Sequence, residues 1–356
     1  MSSIEHQPRA RADGSIKTAS EVVIEAVGLS KTYRVPVREA GMWNALRQLV
    51  RRKHRDVEAL VDFDLRISSG ESVGLVGPNG AGKSTAVKMM TGILKPTRGS
   101  IRITGLDPMR HRSRNARNIG VVFGQRTGLL WDIPVEETFE LMRRIYELPQ
   151  PVYERNRDYV VERLGLSGYM SQPARTLSLG QRVKADLAIA LLHGPKILFL
   201  DEPTIGLDIE IKEQVRVLLR EIYREAGVTV LLTTHDMRDI EEVCERIVVI
   251  DHGRKAYDGS QQELRAEYGY KRLLQLKILS DSESAVGALK LPPQAVVLDS
   301  TPTSVSIEFD QRQCSASDLI ALCMERLRVL DASIEESSVE SIIKDIYANI
   351  TAGRPG

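Results

Sequence analysis

The chain has 356 residues, 42% hydrophobic and 27% charged, with a formal net charge of +1. That length accommodates two domains with a sizeable core, and so even a charge balance gives no overall attraction to nucleic acid or an anionic membrane surface. Aromatic residues, at 5%, give a base-stacking platform little to draw on, and the cysteines (Cys244, Cys314 and Cys323) are odd in number and lack C-x-x-C spacing, so neither a disulfide framework nor a zinc site is indicated.

Residues 1–20 are polar and mixed, without the apolar centre of a signal peptide, and read as a disordered tail. No apolar run reaches the ~18 residues that a membrane span needs. Glu21 to Leu29 alternates as a first strand, and Tyr33 falls on a loop after it. An insertion over 36–57 follows. Met42, Trp43, Leu46, Leu49 and Val50 share one helical face, while Arg47, Arg51, Arg52, Lys53, His54 and Arg55 crowd the other face and the end. Such a basic amphipathic helix suits a membrane surface or a cytoplasmic loop of a membrane partner, and equally a solvated flap on the core.

Ala59 to Ile67 resumes a strand, and Ser72 to Val76 is a short buried strand that runs into Gly77, Pro78, Asn79, Gly80, Ala81, Gly82, Lys83 and Ser84. From Thr85 to Leu94, apolar residues at Val87, Met90 and Leu94 have helical spacing. The G-x-x-x-x-G-K-[ST] stretch therefore lies between a strand and a helix, the setting a phosphate-binding loop requires. Glycines let the chain curl until backbone N–H groups converge on anionic oxygens, and the helix N-terminus adds partial positive charge. Lys83 is placed to reach β- and γ-phosphates, and Ser84 to ligate Mg²⁺.

Further strands are predicted at Ile101 to Thr104 and Ile119 to Phe123, the second ending at Gly124-Gln125. The pattern then turns helical, with Glu136 to Tyr146 and Tyr153 to Leu164 separated by a Pro-rich break at Leu148 to Pro151, so 126–180 reads as an inserted helical lobe. Strand signals return at Ile197 to Pro203. A helix over Ile209 to Glu225 closed by Gly227, a strand Val228 to Leu232 ending at His235, a helix through Cys244 and a strand Ile247 to Ile250 complete an alternation that implies a mainly parallel sheet.

Beyond Gly259 the order is strand (Leu273 to Leu279), helix (Ser282 to Leu289), strands (Ala295 to Leu298 and Ser304 to Phe309), helix (Ala316 to Leu327) and strand (Val329 to Ile334). This is a ferredoxin-like βαββαβ pattern, followed by an amphipathic helix from Val339 to Ile350. It carries no paired acids, metal-ligand spacing or nucleophile, and is read as a packing or dimerising module ahead of a ligand sensor.

The chemistry-bearing candidates end strands. Asp201 closes an apolar strand where a second Mg²⁺ anchor belongs, and Glu202 is next, placed to accept a proton from attacking water. The neutral amide of Gln125 can touch both metal and water. The His235 imidazole can donate to a γ-phosphate oxygen, and Tyr33 can stack on adenine.

Taken in order, Gly77 to Ser84, Gln125, Leu177-Ser178-Leu179-Gly180-Gln181, Asp201-Glu202, Asp208 and His235 resemble the Walker A, Q-loop, signature, Walker B, D-loop and H-loop motifs of ABC-type ATPases. The signature departs from Leu-Ser-Gly-Gly-Gln by Leu179 at the first glycine position. Phe123 to Arg126 with Trp131-Asp132, Leu177 to Arg182, Asp201 to Asp208 and the basic insertion resemble the ATPase subunits of ABC-2-type exporters, the branch similar to viologen and drug exporters. The resemblance implies an α/β fold, a P-loop NTPase of ABC type over 21–262 with a mixed, mainly parallel sheet and the helical lobe at 126–180; the βαββαβ pattern adds a C-terminal α+β, ferredoxin-like domain over 270–356. It implies ATP and Mg²⁺ as ligands, with Ser84, Gln125 and Asp201 at the metal and Lys83, Gln125, Glu202 and His235 in hydrolysis. Nucleotide contacts would come from Tyr33 and Gly77 to Thr85, and across a homodimer from Ser178, Gly180, Gln181 and Asp208. The implied function is the ATP-hydrolysing subunit of an exporter, peripheral on the cytoplasmic face and docked to separate transmembrane subunits, with no nucleic acid expected. The alternative is a soluble ABC ATPase acting on nucleic acid, ribosomes or cofactor assembly.

Overall fold

The computed structural model describes residues 21–36, 54–124, 126–279 and 289–352. The tail over 1–20, most of the basic insertion (37–53), Gln125 and the helix expected at Ser282 to Leu289 (except Leu289 itself) lie outside the described residues.

The described residues begin with a long antiparallel pair, β1 (Val22–Pro36) and β2 (His54–Ser68), joined as far as Pro36 with His54. Two expectations are corrected here. Tyr33 lies on β1 opposite Val57, not on a loop, and His54 and Arg55 belong to β2, not to the end of a helix. β3 (Ser72–Val76) follows, then α1 (Lys83–Met90), β4 (Arg98–Ile103), the short α2 (Arg112–Ala116) and β5 (Ile119–Phe123). The helical lobe holds α3 (Val135–Ile145) and α4 (Gln150–Leu164). Its Pro-rich stretch starts α4: Pro149 is the N-cap and Pro151 lies in the first turn, where a missing N–H costs nothing.

Next come α5 (Leu179–Leu191), β6 (Ile197–Asp201), α6 (Ile209–Ala226), β7 (Thr229–Thr233), α7 (Met237–Val243), β8 (Arg246–Asp251), β9 (Arg254–Ser260) and α8 (Gln261–Tyr268). α6 is bounded by the Asp208 side chain, which accepts the Ile211 N–H, and by Gly227 in the left-handed conformation at its C-terminus. The C-terminal part contains β10 (Lys271–Ile278), β11 (Ala295–Thr301), β12 (Ser304–Asp310), α9 (Ala316–Met324), β13 (Val329–Glu336) and α10 (Val339–Ala352).

A six-stranded sheet, ordered β5-β6-β7-β3-β8-β9, is parallel except for the β8–β9 hairpin. β3, β6 and β7 are buried along their whole length, as expected of parallel strands covered on both faces. On one face, α1 and the antiparallel sheet β2-β1-β4 enclose Leu29, Phe63, Leu75, Val87, Met90 and Phe199. On the other, α5 and α6 pack Leu187, Val215 and Leu219 against Leu198, Leu200 and Leu232, in a cluster continuous with Phe139, Tyr153 and Val160 of the lobe. Because β3, β5, β6 and β7 run parallel as neighbours, the residues following each emerge at one edge of the sheet.

β10 to β13 form an antiparallel sheet ordered β11-β12-β10-β13, the order a ferredoxin-like βαββαβ chain requires. α10 then returns to the first part of the molecule. Val339, Ile342, Ile343 and Ile346 share a buried cluster with Val243 and Leu264, each contributing ~1.5–3 kcal/mol by burial. Val339 N–H donates to Glu241 Oε1 at 3.1 Å, and Lys271 Nζ bridges Glu308 (3.2 Å) and Asp345 (3.1 Å).

Candidate nucleotide site

The loop between β3 and α1 curls because its glycines permit it. Gly82 has φ +112°, and a Cβ there would lie 2.5 Å from the Ala59 carbonyl oxygen. At Gly77, a Cβ would lie 2.5 Å from the Ile250 carbonyl oxygen. The β2 and β8 backbones thus pack directly on the loop and hold its shape. Lys83, only 6% exposed, folds back along the loop and donates from Nζ to the carbonyls of Gly77 (2.7 Å) and Pro78 (3.3 Å). Burial lowers its pKa, while the nearby carboxylates of Glu202 and Asp201 oppose that shift.

Asp201 is buried at the end of β6, where its Oδ1 accepts from Ser84 Oγ (3.0 Å) and Thr233 Oγ1 (2.6 Å). A hydroxyl and a carboxylate meeting in this way match the donor set of Mg²⁺, which takes one or two protein oxygens and leaves the rest to phosphate and water. Among the described residues no cluster of three or more His, Cys, Asp or Glu forms an all-protein metal cage. Ser84 and Asp201 would hold the ion, which neutralises phosphate charge when bound.

Glu202 has left-handed backbone, φ 56°, uncommon for a residue with a side chain and worth ~1–3 kcal/mol of strain. Its N–H donates to the Thr233 carbonyl at 2.9 Å, which fixes it beside β7. Its Oε2 lies 2.6 Å from His235 Nδ1, and the imidazole is more than half exposed toward the cleft. Asn79 to Thr85, Glu202, Ile205 and His235 line one cleft of about 500 Å³.

Tyr33, Ser178, Gly180, Gln181 and Asp208 do not line this cleft. Tyr33 stands partly exposed on β1, with Lys31 Nζ 5.3 Å from its ring centroid. Ser178 and Gln181 form a reciprocal capping box at the start of α5: Gln181 N–H donates to Ser178 Oγ (3.2 Å), and Ser178 N–H to Gln181 Oε1 (2.9 Å). Gly180 admits Ile211 of α6, whose Cγ2 would lie 2.9 Å from a Cβ there. Leu179 is 42% exposed and borders Gly206. With Asp208, the exposed Ser178 and Leu179 and the half-buried Gln181 form a second surface outside this cleft, with Gly180 buried beneath it.

Two features escaped the sequence reading. A Cβ on Gly124 would lie 1.9 Å from the Glu202 carbonyl oxygen, and Gly124 N–H donates to the Asp201 carbonyl at 2.8 Å. The chain entering Gln125 is thus pressed against the Asp201-Glu202 backbone; a glycine at a strand end was the available signal. Asp239 is the second: its carboxylate accepts from Thr204 Oγ1 (2.5 Å), Thr234 Oγ1 (3.1 Å) and Arg216 Nε (2.7 Å), all buried. It ties the segment after Glu202 to the segment bearing His235, and no sequence pattern marks it.

A phosphate loop, a strand-end Asp-Glu pair and a helical lobe on a mainly parallel sheet define a P-loop nucleotide hydrolase. The profile of the ABC transporter family matches residues 60–205. NatA of Bacillus subtilis (strain 168), an ABC transporter ATP-binding protein, is 34% identical over 212 residues, 60% of this chain and 86% of that protein. The daunorubicin resistance ATP-binding protein DrrA3 of Streptomyces coeruleorubidus is 32% identical over 291 residues, 82% of this chain and 87% of that protein. The dimeric post-hydrolysis structure of the ATP-binding cassette MJ0796 bound to ADP and Pi aligns with TM-score 0.55 at 26% identity, covering 67% of this chain and 98% of that one. The chain belongs to the ATP-binding proteins of ABC transporters. It binds ATP with Mg²⁺ and hydrolyses it.

Proposed function

We propose that this chain powers an ABC exporter as a homodimer, peripheral on the cytoplasmic face and docked to separate membrane-spanning subunits. The observation that carries the reading is the split of the site. Lys83, Ser84, Glu202 and His235 line one cleft, with Asp201 bonded to Ser84 beside it, while the exposed Ser178 and Asp208 and the half-buried Gln181, with Gly180 buried beneath, form a second surface outside that cleft. A second copy, turned head to tail, brings the second surface to the first. Kinship with DrrA3 over most of both chains favours export over the nucleic-acid, ribosome or cofactor-assembly alternative. No helix among the described residues is long and apolar enough to cross a membrane.

In this reading the triphosphate draws Lys83 Nζ away from the carbonyls of Gly77 and Pro78, exchanging neutral acceptors for anionic ones. Loop N–H groups from Gly80 to Thr85 take the remaining phosphate oxygens, and Tyr33 stacks on adenine. Glu202 accepts a proton from the attacking water. His235 orients that carboxylate through Nδ1 and meets the γ-phosphate with its other nitrogen. Gln125, which follows β5 in the sequence, would touch water and metal. The partner's α5 N-terminus, with Ser178, Gly180 and Gln181, meets the same γ-phosphate, so cleavage removes the charge that holds the two copies together.

Detergent-solubilised membranes from the native host supply the test. Stable co-elution with a polytopic membrane subunit supports export, and co-elution with ribosomes or nucleic acid overturns it.

A further inference from the structure

α5 carries a carboxylate on its buried side. Asp186 lies two turns beyond Ser178 and is 9% exposed, among Ala185, Leu187 and Ala190. It faces the stretch that leaves Gln125. Its Oδ1 accepts from Thr127 Oγ1 and from Gly128 N–H, both at 2.8 Å, and Leu129 N–H closes the turn on Thr127 Oγ1 at 3.1 Å. One turn nearer the start of α5, Arg182 lays its guanidinium 4.5 Å from the Trp131 ring centroid and donates to the Leu177 carbonyl at 3.4 Å. Two side chains of one helix, at positions i and i+4, therefore grip one stretch, residues 127–131. Burial raises the Asp186 carboxyl to about 6, against the hydrogen bonds from the loop and the charge of Arg182. A buried carboxylate is costly, and neither the cleft nor the capping of α5 uses it.

We infer that Asp186 is a positioning residue: with Arg182 it locks the stretch after Gln125 to α5, so that loop and signature helix move as one body. The inference rests on the head-to-tail homodimer, since its consequence is delivery of Ser178 to the partner's nucleotide. When the loop shifts with a membrane subunit, the grip carries the start of α5 with it. Without the grip, the loop moves and the helix stays.

The test uses the full chain in a Glu202→Gln background. Asp186→Ala should leave binding of a fluorescent ATP analogue to the chain's own loop within about twofold, because Lys83 and α1 are untouched. It should weaken Mg-ATP-dependent dimerisation by about tenfold or more, the effect of losing bonds to a charged acceptor. Asp186→Asn keeps an acceptor oxygen in place and should restore dimerisation to within about threefold of the parent. Hydrogen exchange on the same proteins is the arm independent of dimerisation. Asp186→Ala should speed exchange at Gly128 and in the first turn of α5 together, with α1 unchanged. Acceleration confined to the loop, equal loss of nucleotide binding and dimerisation, or no rescue by Asn overturns the clamp. A parent that binds Mg-ATP yet stays monomeric overturns the homodimer instead, while the exchange pattern still decides the clamp. Should Asp186→Ala fail to fold, Thr127→Val opens the same grip from the loop side and must give the same exchange pattern in milder form.

Discussion

Replacing Gly124 with alanine should uncouple nucleotide binding from hydrolysis. The added Cβ would lie 1.9 Å from the Glu202 carbonyl oxygen and 2.8 Å from its carbonyl carbon, where ordinary contact starts near 3.4 Å. The chain at the end of β5 and the Glu202 peptide must therefore part by about 1.5 Å. Both sides are backbone, so no flexible side chain can absorb the shift. Glu202 is already in a left-handed conformation and held by the Thr233 carbonyl, which leaves it little room to yield. Misplacing a reacting group by ~1 Å costs on the order of 100-fold in rate, and overpacking of this kind costs ~1–3 kcal/mol in stability. The phosphate loop belongs to β3 and α1, which contribute none of the atoms that the added Cβ would meet. Gly124→Ala should thus bind Mg-ATP within about threefold of wild type while kcat falls about 100-fold or more. Phosphate release at saturating ATP and a fluorescent-nucleotide titration measure the two quantities. A kcat within about threefold of wild type, with the protein folded, would refute the placement of Glu202 as the base.

Lys83→Ala removes the ammonium that leaves Gly77 and Pro78 for the triphosphate, and should weaken ATP binding by about 10- to 100-fold in an equilibrium titration; unchanged affinity would contradict that exchange. Asp239→Ala leaves the Arg216 guanidinium, 4% exposed, without its nearest partner, and should cost ~3–5 kcal/mol in denaturant unfolding. A loss below ~1 kcal/mol would show that Asp236 and Glu213 suffice for Arg216. Asp186 gives a pH prediction: its folded-state pKa, about 6, lies above the ordinary 3.8, so its favourable contribution is present at low pH and is lost as pH rises through that interval. Relative to Asp186→Asn, the wild-type chain should lose up to ~3 kcal/mol of stability between about pH 4 and pH 6.5. Denaturant unfolding across that range checks the sign, and a relative gain with rising pH would contradict it.

The catalytic edge was legible because its signals are local. The strand, glycine loop and helix start are contiguous, and β3 and β5 have the bounds their apolar runs predict. Asp201-Glu202 ends a run too apolar for a surface strand, and Gly227 closes α6 as its position implies. What was missed depends on distant partners. Lys31 to Arg34 lacks strand alternation, yet it pairs with Asp56 to Leu60 of β2, which moves Tyr33 from loop to strand. β9 is strand because it folds back on β8, which no local pattern specifies. α8 had a readable start, since Ser260 and Glu263 form a capping box. The return of α10 onto α8, the closeness of Gly124 to Glu202 and the bonds of Asp186 to the loop all join segments that are remote in sequence or set on different elements.

The central claim is that ATP joins two copies of this chain and that hydrolysis releases them. Sedimentation of the Glu202→Gln chain with Mg-ATP, beside the same chain with Mg-ADP, tests it most directly. The account predicts a dimer with ATP and a monomer with ADP, and adding Lys83→Ala should abolish the dimer. A single-copy species under saturating Mg-ATP, with nucleotide demonstrably bound, would contradict it.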